Sequence, residues 1–351
     1  MSEGRGPRRD GGAARPRVSV LLPCRDAAAW LPEAAASLEA QTLDDFEVVA
    51  VDDGSSDGTA GLLEAWSERD ARVRVLSAGS GGGEGLVAAL RSAAVAARAP
   101  LLARMDADDV ALPSRLERQA DFLSGRPGLA ACGTRVELFP SSRVGMGYHR
   151  YQAWLNGLSG PAALLRDLFV ECPIAHPTLM IRASALRALG GYRDEGWPED
   201  YDLLLRLYRA GMRADVVPDT LLRWRVRPGR LSRVSGAYAP DAFRRCKVHF
   251  LVRGELPEGR ALLVWGAGRV GKPLAVELAR QGRAPCAFID VDPRKLGQEI
   301  HGLPVLSPDE LGRWPGAYVL VAVGAPGARQ EIRAELDATG REELRDYRVA
   351  A

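Results

Sequence analysis

The stretch LLARMDADDVALP, residues 101–113, runs from an apolar strand pattern, Leu101–Met105, straight into three carboxylates, Asp106, Asp108 and Asp109. Like charges packed this closely repel, so the pattern asks for a neutralising partner. Working back toward the N-terminus, VSVLLP (18–23) reads as a buried strand and AAAWLPEAAASLEAQ (27–41) as a helix. FEVVAVDDGSSDGT (46–59) is a strand ending in a Gly/Ser/Asp turn, GLLEAWSERD (61–70) a helix and VRVLS (73–77) a strand. SGGGEG (80–85) reads as a flexible loop before an Ala-rich helix that ends at Ala99. Strands alternating with helices predict a parallel sheet with helices on its faces. Ligands of such sheets sit at the carboxyl ends of the strands. The acid pairs Asp52/Asp53 and Asp106/Asp108, with Asp109, are therefore expected to face one crevice.

At 351 residues the chain suits two domains, and 46% hydrophobic residues supply a sizeable core. A formal charge of +2 offers no general attraction to nucleic acid or to a membrane surface. The cysteines Cys24, Cys132, Cys172, Cys246 and Cys286 are dispersed, with no CxxC pair. That usage points to a reducing compartment, without a disulfide framework or a zinc site. Residues 1–16 are Gly-, Arg- and Pro-rich, lack the apolar run of a signal peptide and read as a disordered tail. No stretch approaches the roughly 20 apolar residues of a membrane span. The expectation is a soluble, cytoplasmic protein.

The middle of the chain is less regular, but GWPEDYDLLLRLYRAG predicts an amphipathic helix over 198–210, ended by Gly211. A Pro/Gly/Glu-rich break follows in VRGELPEGR (252–260), after which strand and helix patterns restart. Residues 17–250 are expected to form one domain and 258–351 a small Rossmann-like α/β unit, separable near Pro257. In that unit WGAGRVG presents Gly266, Gly268 and Gly271 between a strand and a helix, and Asp290 ends the next strand. Those positions are candidates for nucleotide binding. Only half of a dinucleotide fold fits, and no hydride-transfer machinery is visible. The unit reads as a non-catalytic binding module or a purely structural one.

Three readings compete for the acids. One is a solvated loop. A second is a calcium loop, since DGSSDGTAGLLE (53–64) approaches EF-hand spacing, but it follows a strand where an EF-hand needs a helix. The third is a divalent cation, Mg²⁺ or Mn²⁺, held by Asp106 and Asp108 together with a phosphorylated ligand; the cation would cancel the repulsion.

The company of the acids favours the third. The segments VSVLLPCRDAAAWLPEAAASLEAQTLDDFEVVAVDDGSSDGT, ARMDADDVALPSRLERQADFL, AHPTLMIRASALRALGGYRDEGWPEDYDLLLRL and RWRVRPGRLSR occur in this order. Together they make Val18–Arg233 resemble a family-2 glycosyltransferase of the GT-A fold, an α/β nucleotide-diphospho-sugar transferase fold with a mixed, mostly parallel sheet. The resemblance implies inverting transfer of a sugar from a nucleotide-diphosphate donor. The acceptor hydroxyl is unnamed and belongs to a glycan, a lipid or another cell-surface precursor. A lipid-linked acceptor would bring the enzyme to a membrane surface. The resemblance further implies that Asp53, Pro23 and Arg25 hold the nucleotide, and that Arg104, Arg225 and Arg227 contact the donor. Asp106 becomes a ribose or metal contact, Asp108 the principal metal ligand, Asp200 the general base and Glu199 its supporting acid.

Two departures stand out. Cys24 and Arg25 replace an aromatic and Asn that the family often has after Pro23. Arg227 replaces a frequent His; an arginine can clamp phosphate but cannot ligate a cation. Arg223, Arg225, Arg227, Arg230 and Arg233 lie close together without one acid among them. They read as a solvated basic strand or as a clamp on the leaving diphosphate, helped by Ser232. His176 reads either as a structural histidine or as an acceptor-side residue. The rival function is a nucleotide-sensing or NAD(P)-dependent protein that acts through residues 258–351.

Overall fold

The structure, a computed structural model, describes residues 15–77, 83–230, 235–325 and 327–351. The expectations for residues 1–14, for 80–82 of the glycine loop and for Ser232 and Arg233 lie outside the described residues.

Eight strands form the first sheet: β1 Val18–Cys24, β2 Phe46–Asp52, β3 Val73–Ser77, β4 Leu101–Arg104, β5 Val110–Ala111, β6 Ala131–Phe139, β7 Met180–Arg182 and β8 Ala214–Arg225. Their order is β3-β2-β1-β4-β7-β6-β8-β5. The first four pair in parallel, β7 joins β4 and β6 antiparallel, and β8 runs parallel to β6. The fold is thus α/β with a mixed, mostly parallel sheet. β1 is buried along its whole length because helices cover both faces of the sheet. Side chains of β2 alternate between them. Val49 and Val51 pack with Ala89, Leu90 and Ala93 of helix Leu86–Ala96. Val48 and Ala50 pack with Leu31, Ala34 and Leu38 of helix Leu31–Glu39.

A second sheet follows: β9 Leu262–Trp265, β10 Ala287–Ile289, β11 Glu299–Ile300, β12 Leu303–Leu306, β13 Tyr318–Val321 and β14 Tyr347–Val349, in the order β11-β12-β10-β9-β13-β14. All its pairings are parallel except β11 with β12. Among the described residues no helix is long and apolar enough to cross a membrane.

The predicted helix over 198–210 forms as Glu199–Arg209. It is buried beyond the expected stripe: Tyr201 and Leu205 are covered along with Leu203, Leu204 and Leu207. Helix Pro240–Phe250 packs against it and in turn against helix Gly271–Arg280 of the second unit. One apolar cluster contains Tyr201, Leu203, Cys246 and Phe250 together with Leu262, Val264, Leu274 and Leu320. Polar contacts cross the same junction. Arg333 meets Asp167 at 2.6 Å and Arg348 meets Glu255 at 2.5 Å. Lys247 Nζ donates to the carbonyls of Ala350 at 2.6 Å and Val170 at 3.2 Å.

This packing argues against separating the units near Pro257. Burying one large apolar side chain is worth about 1.5–3 kcal/mol, and truncation there would uncover several. A chain ending at Leu256 is expected to lose its cooperative melt and to aggregate. A sharp thermal transition for that fragment by circular dichroism would show that the first unit stands alone.

Candidate active site

Three neighbouring strands end on one cleft of about 450 Å³. In register, Cys24 of β1 lies beside Asp52 of β2, and Leu21 of β1 beside Arg104 of β4. Pro23 near the end of β1 and, just past the strand ends, Arg25, Asp53, Asp106 and Asp108 all line the cleft. Asp53 is buried and accepts hydrogen bonds from the Gly85 N–H at 3.1 and 3.2 Å, with the Arg25 guanidinium 3.4 Å away. Asp52 turns instead to Ser55, whose hydroxyl bonds it at 2.5 Å.

The acidic loop continues into β5, which pairs antiparallel with the end of β8. That pairing carries the arginines of β8 and the turn after it to the acids. The carboxylate oxygens of Asp106, Asp108 and Asp109 lie within 4.8 Å of one another. Each acid has a distinct neighbour. Asp106 Oδ1 meets Arg104 Nη2 at 2.6 Å, and its Oδ2 meets Arg230 Nη2 at 3.1 Å. Asp108 Oδ2 meets Arg227 Nε at 2.5 Å. Asp109 Oδ1 accepts the Arg225 N–H at 2.8 Å, while its Oδ2 is buried without a hydrogen-bond partner among the described residues. The electrostatics follow. Burial pushes Asp106 up, but Arg104 and Arg230 outweigh it and hold the carboxyl well below the usual range. Asp109 goes the other way, raised by burial and by Asp106 and Asp108 beside it.

Helix Glu199–Arg209 brings its N-terminal end to the same cleft. Asp200 lines the cleft and is half-buried. Burial and the neighbouring Glu199 carboxylate push it up to about 8. Glu199 does not line the cleft. It sits behind, with His176 Nδ1 3.2 Å from its Oε1 and the Tyr238 hydroxyl donating to its Oε2 at 2.5 Å. Burial pushes Glu199 up, but the bonds from His176 and Tyr238 more than offset it. His176 and Tyr238 do line the cleft, so Glu199 ties two wall residues together.

Pro23, Arg25, Asp53, Arg104, Asp106, Asp108, Asp200 and Arg227 therefore share one cleft, and Arg225 does not. The Arg225 guanidinium lies behind the acids, bonded to Glu33 and, through Nε, to the Asp108 carbonyl at 2.6 Å, and stacked 4.3 Å from the Phe139 ring centre. It braces the loop from outside. Asp109 and Arg230 were named from the sequence only as members of the acidic and basic runs, and Trp30 and Tyr238, which carry no local signal, not at all. The calcium loop is absent as a cage: Asp57 bonds the backbone N–H groups of Thr59 at 2.9 Å and Ala28 at 3.0 Å.

In the second unit two of the three glycines, Gly266 and Gly271, sit in close packing. A Cβ on Gly271 would lie 1.7 Å from the Gly266 carbonyl oxygen, and one on Gly266 would lie 2.7 Å from the Ala322 oxygen. Gly268 has open space around it. Asp290 is engaged internally, accepting from the Ala267 N–H at 2.8 Å and pairing with Lys295 at 2.9 Å. Gly271→Ala is expected to destabilise the chain by about 1–3 kcal/mol through overpacking, read as a lower denaturant midpoint. An unchanged midpoint would show that the strand–helix turn can widen.

Residues 19–190 match the model of glycosyl transferase family 2. The putative glycosyltransferase EpsE of Bacillus subtilis is 29% identical over 230 residues, covering 64% of this chain and 79% of that protein. The O-antigen biosynthesis glycosyltransferase WbnJ of Escherichia coli is 29% identical over 212 residues, covering 60% and 79%. Among solved structures, S. aureus TarS 1-349 in complex with UDP-GlcNAc matches with a TM-score of 0.56 at 19% identity, over 69% of this chain and 68% of that one. That likeness shows the fold. The chain is thus a glycosyltransferase with the GT-A fold, and its residues 19–190 match family 2.

Proposed function

We propose that the chain transfers a sugar from a nucleotide-diphosphate donor to an acceptor hydroxyl with inversion, and that Asp200 is the general base. The observation that carries this reading is that Asp200 and the acidic cluster share one cleft. In a single in-line displacement the acceptor oxygen forms its bond to the anomeric carbon from the face opposite the diphosphate. The bond to the diphosphate oxygen breaks and that oxygen keeps the electron pair. Asp200 takes the hydroxyl proton. Asp53, Pro23 and Arg25 line the nucleotide end. Glu199 acts through His176 and Tyr238, which it holds in place.

The residues fit a hard divalent cation, Mg²⁺ or Mn²⁺. Three carboxylates converge within 4.8 Å, and Asp109 Oδ2 is buried with no hydrogen-bond partner among the described residues. Asp106 and Asp108 would hold the ion, which when bound neutralises charge on the departing diphosphate. WbnJ is named for O-antigen biosynthesis, and a glycan, lipid-linked or other cell-surface precursor is the acceptor class we favour. Residues 17–250 make up the catalytic domain in this reading, and residues 258–351 a brace for its core.

Thermal melting and turnover against a panel of nucleotide sugars, with and without Mn²⁺, test the proposal. At least one donor should raise the melting temperature and be consumed with Mn²⁺ present. No shift and no turnover across the panel would sink the donor assignment.

A further inference from the structure

Arg227 and Arg230 share two kinds of contact, and Arg230 also donates through Nη1 to the Arg225 carbonyl at 2.8 Å. Each guanidinium lies against a tryptophan: Arg227 is 4.1 Å from the Trp30 ring centre and Arg230 is 5.0 Å from that of Trp224. Each also pairs with a carboxylate that would be needed for a cation, Arg227 with Asp108 at 2.5 Å and Arg230 with Asp106 at 3.1 Å. All six residues line the cleft. Arg104 differs. It is buried, holds the other oxygen of Asp106 at 2.6 Å and stacks on none of these rings.

A carboxylate oxygen that accepts a guanidinium N–H this closely has no room there for a cation, and a cation placed alongside would face a positive charge. The arginines and the cation therefore compete for Asp108 and Asp106. A diphosphate arriving with the cation supplies new anionic oxygens in the same cleft. A guanidinium resting on a flat aromatic face can turn its N–H groups from one anion to another while keeping the stacking contact.

We infer that Arg227 and Arg230 are exchangeable counter-ions. They neutralise Asp108 and Asp106 in the cation-free enzyme and pass to the donor's diphosphate when a divalent cation takes the carboxylates. This rests on the nucleotide-donor reading above and assigns Arg230 to diphosphate binding beside Arg227. The consequence is positive coupling: each ligand vacates or supplies what the other needs, so cation and nucleoside diphosphate tighten one another.

The test uses the full chain and needs no turnover. Free Mn²⁺ is measured by electron paramagnetic resonance during titration, alone and with UDP, GDP, ADP or dTDP, after subtracting the protein-free complex. In the native chain the nucleotide that binds should tighten Mn²⁺ at least tenfold. In Arg227→Gln and Arg230→Gln, Mn²⁺ alone should bind several-fold tighter, the nucleotide alone more weakly, and the coupling should fall. Arg227→Lys, which keeps the charge, should restore part of the coupling. A mere through-space repulsion would shift both single affinities but leave the coupling at its native value, and that result would overturn the exchange. Nucleotide binding without any Mn²⁺ binding would also overturn it, while leaving the donor reading standing. Binding of none of the four nucleotides, with a normal melt, would remove both.

Discussion

Asp200→Asn is expected to lower transfer by about 10²–10⁴-fold, the usual contribution of a general base, while donor affinity stays within a few-fold of native. Asn keeps the shape and an oxygen for the Tyr201 N–H, which Asp200 accepts at 2.7 Å, but it cannot take a proton. Unfolding would not explain the loss. Burial and Glu199 raise Asp200 to about 8, above the roughly 3.9 of an unfolded aspartate. A raised acid contributes stability that is fully present below its unfolded value and is lost as pH rises through the folded one. The Asn variant escapes that loss, so above pH 8 it should melt no lower than the native chain. The same shift sets the pH profile. The base works only when ionised, so kcat/KM of the native enzyme should climb with pH and level off above about 8. A variant that kept more than a tenth of the rate would remove Asp200 from the role and turn attention to Glu199.

The second large effect is expected at Asp108. Asp108→Asn removes one charged oxygen from the acidic cluster and the partner of Arg227. If a divalent cation bound there supplies several kcal/mol, transfer should fall by at least about 10²-fold, at about 1.4 kcal/mol per decade. The fold should survive, because Arg227 remains stacked on Trp30. Chelator should abolish native activity, and Mn²⁺ or Mg²⁺ should restore it in the native chain far more than in the variant. Full native activity after exhaustive chelation would show that Arg104, Arg227 and Arg230 neutralise the diphosphate without a metal.

Much of the first unit was legible because its signals are local. The runs Val18–Cys24, Phe46–Asp52 and Leu101–Arg104 are apolar and separated by helical patterns, which is enough for a parallel sheet with acids at its strand ends. The separability expected at Pro257 came from a local composition break. That break carries no signal that Tyr201 and Leu203 share one apolar cluster with Leu262, Val264 and Leu320 of the second sheet. The glycine pattern of WGAGRVG was read toward a ligand. A carbonyl packs where a Gly271 side chain would be, a close strand–helix approach that needs glycine with or without a ligand.

The sequence by itself determined the order of strands and helices, the family pattern and the presence of acids beside strand ends. These depend on neighbouring residues and on side-chain period. Only the tertiary structure decided which charges meet. Arg227 reaches Asp108 across 119 residues of chain because β5 pairs with the end of β8. β8 ends at Arg225, whose side chain keeps the strand's face with Arg223 and meets Phe139 and Glu33, whereas Arg227 lies past the strand end and is released from that alternation. Glu199 and Asp200 are adjacent in sequence and differ in place for the same kind of reason. Successive side chains on a helix point about 100° apart, so Asp200 lines the cleft while Glu199 is buried behind His176 and Tyr238.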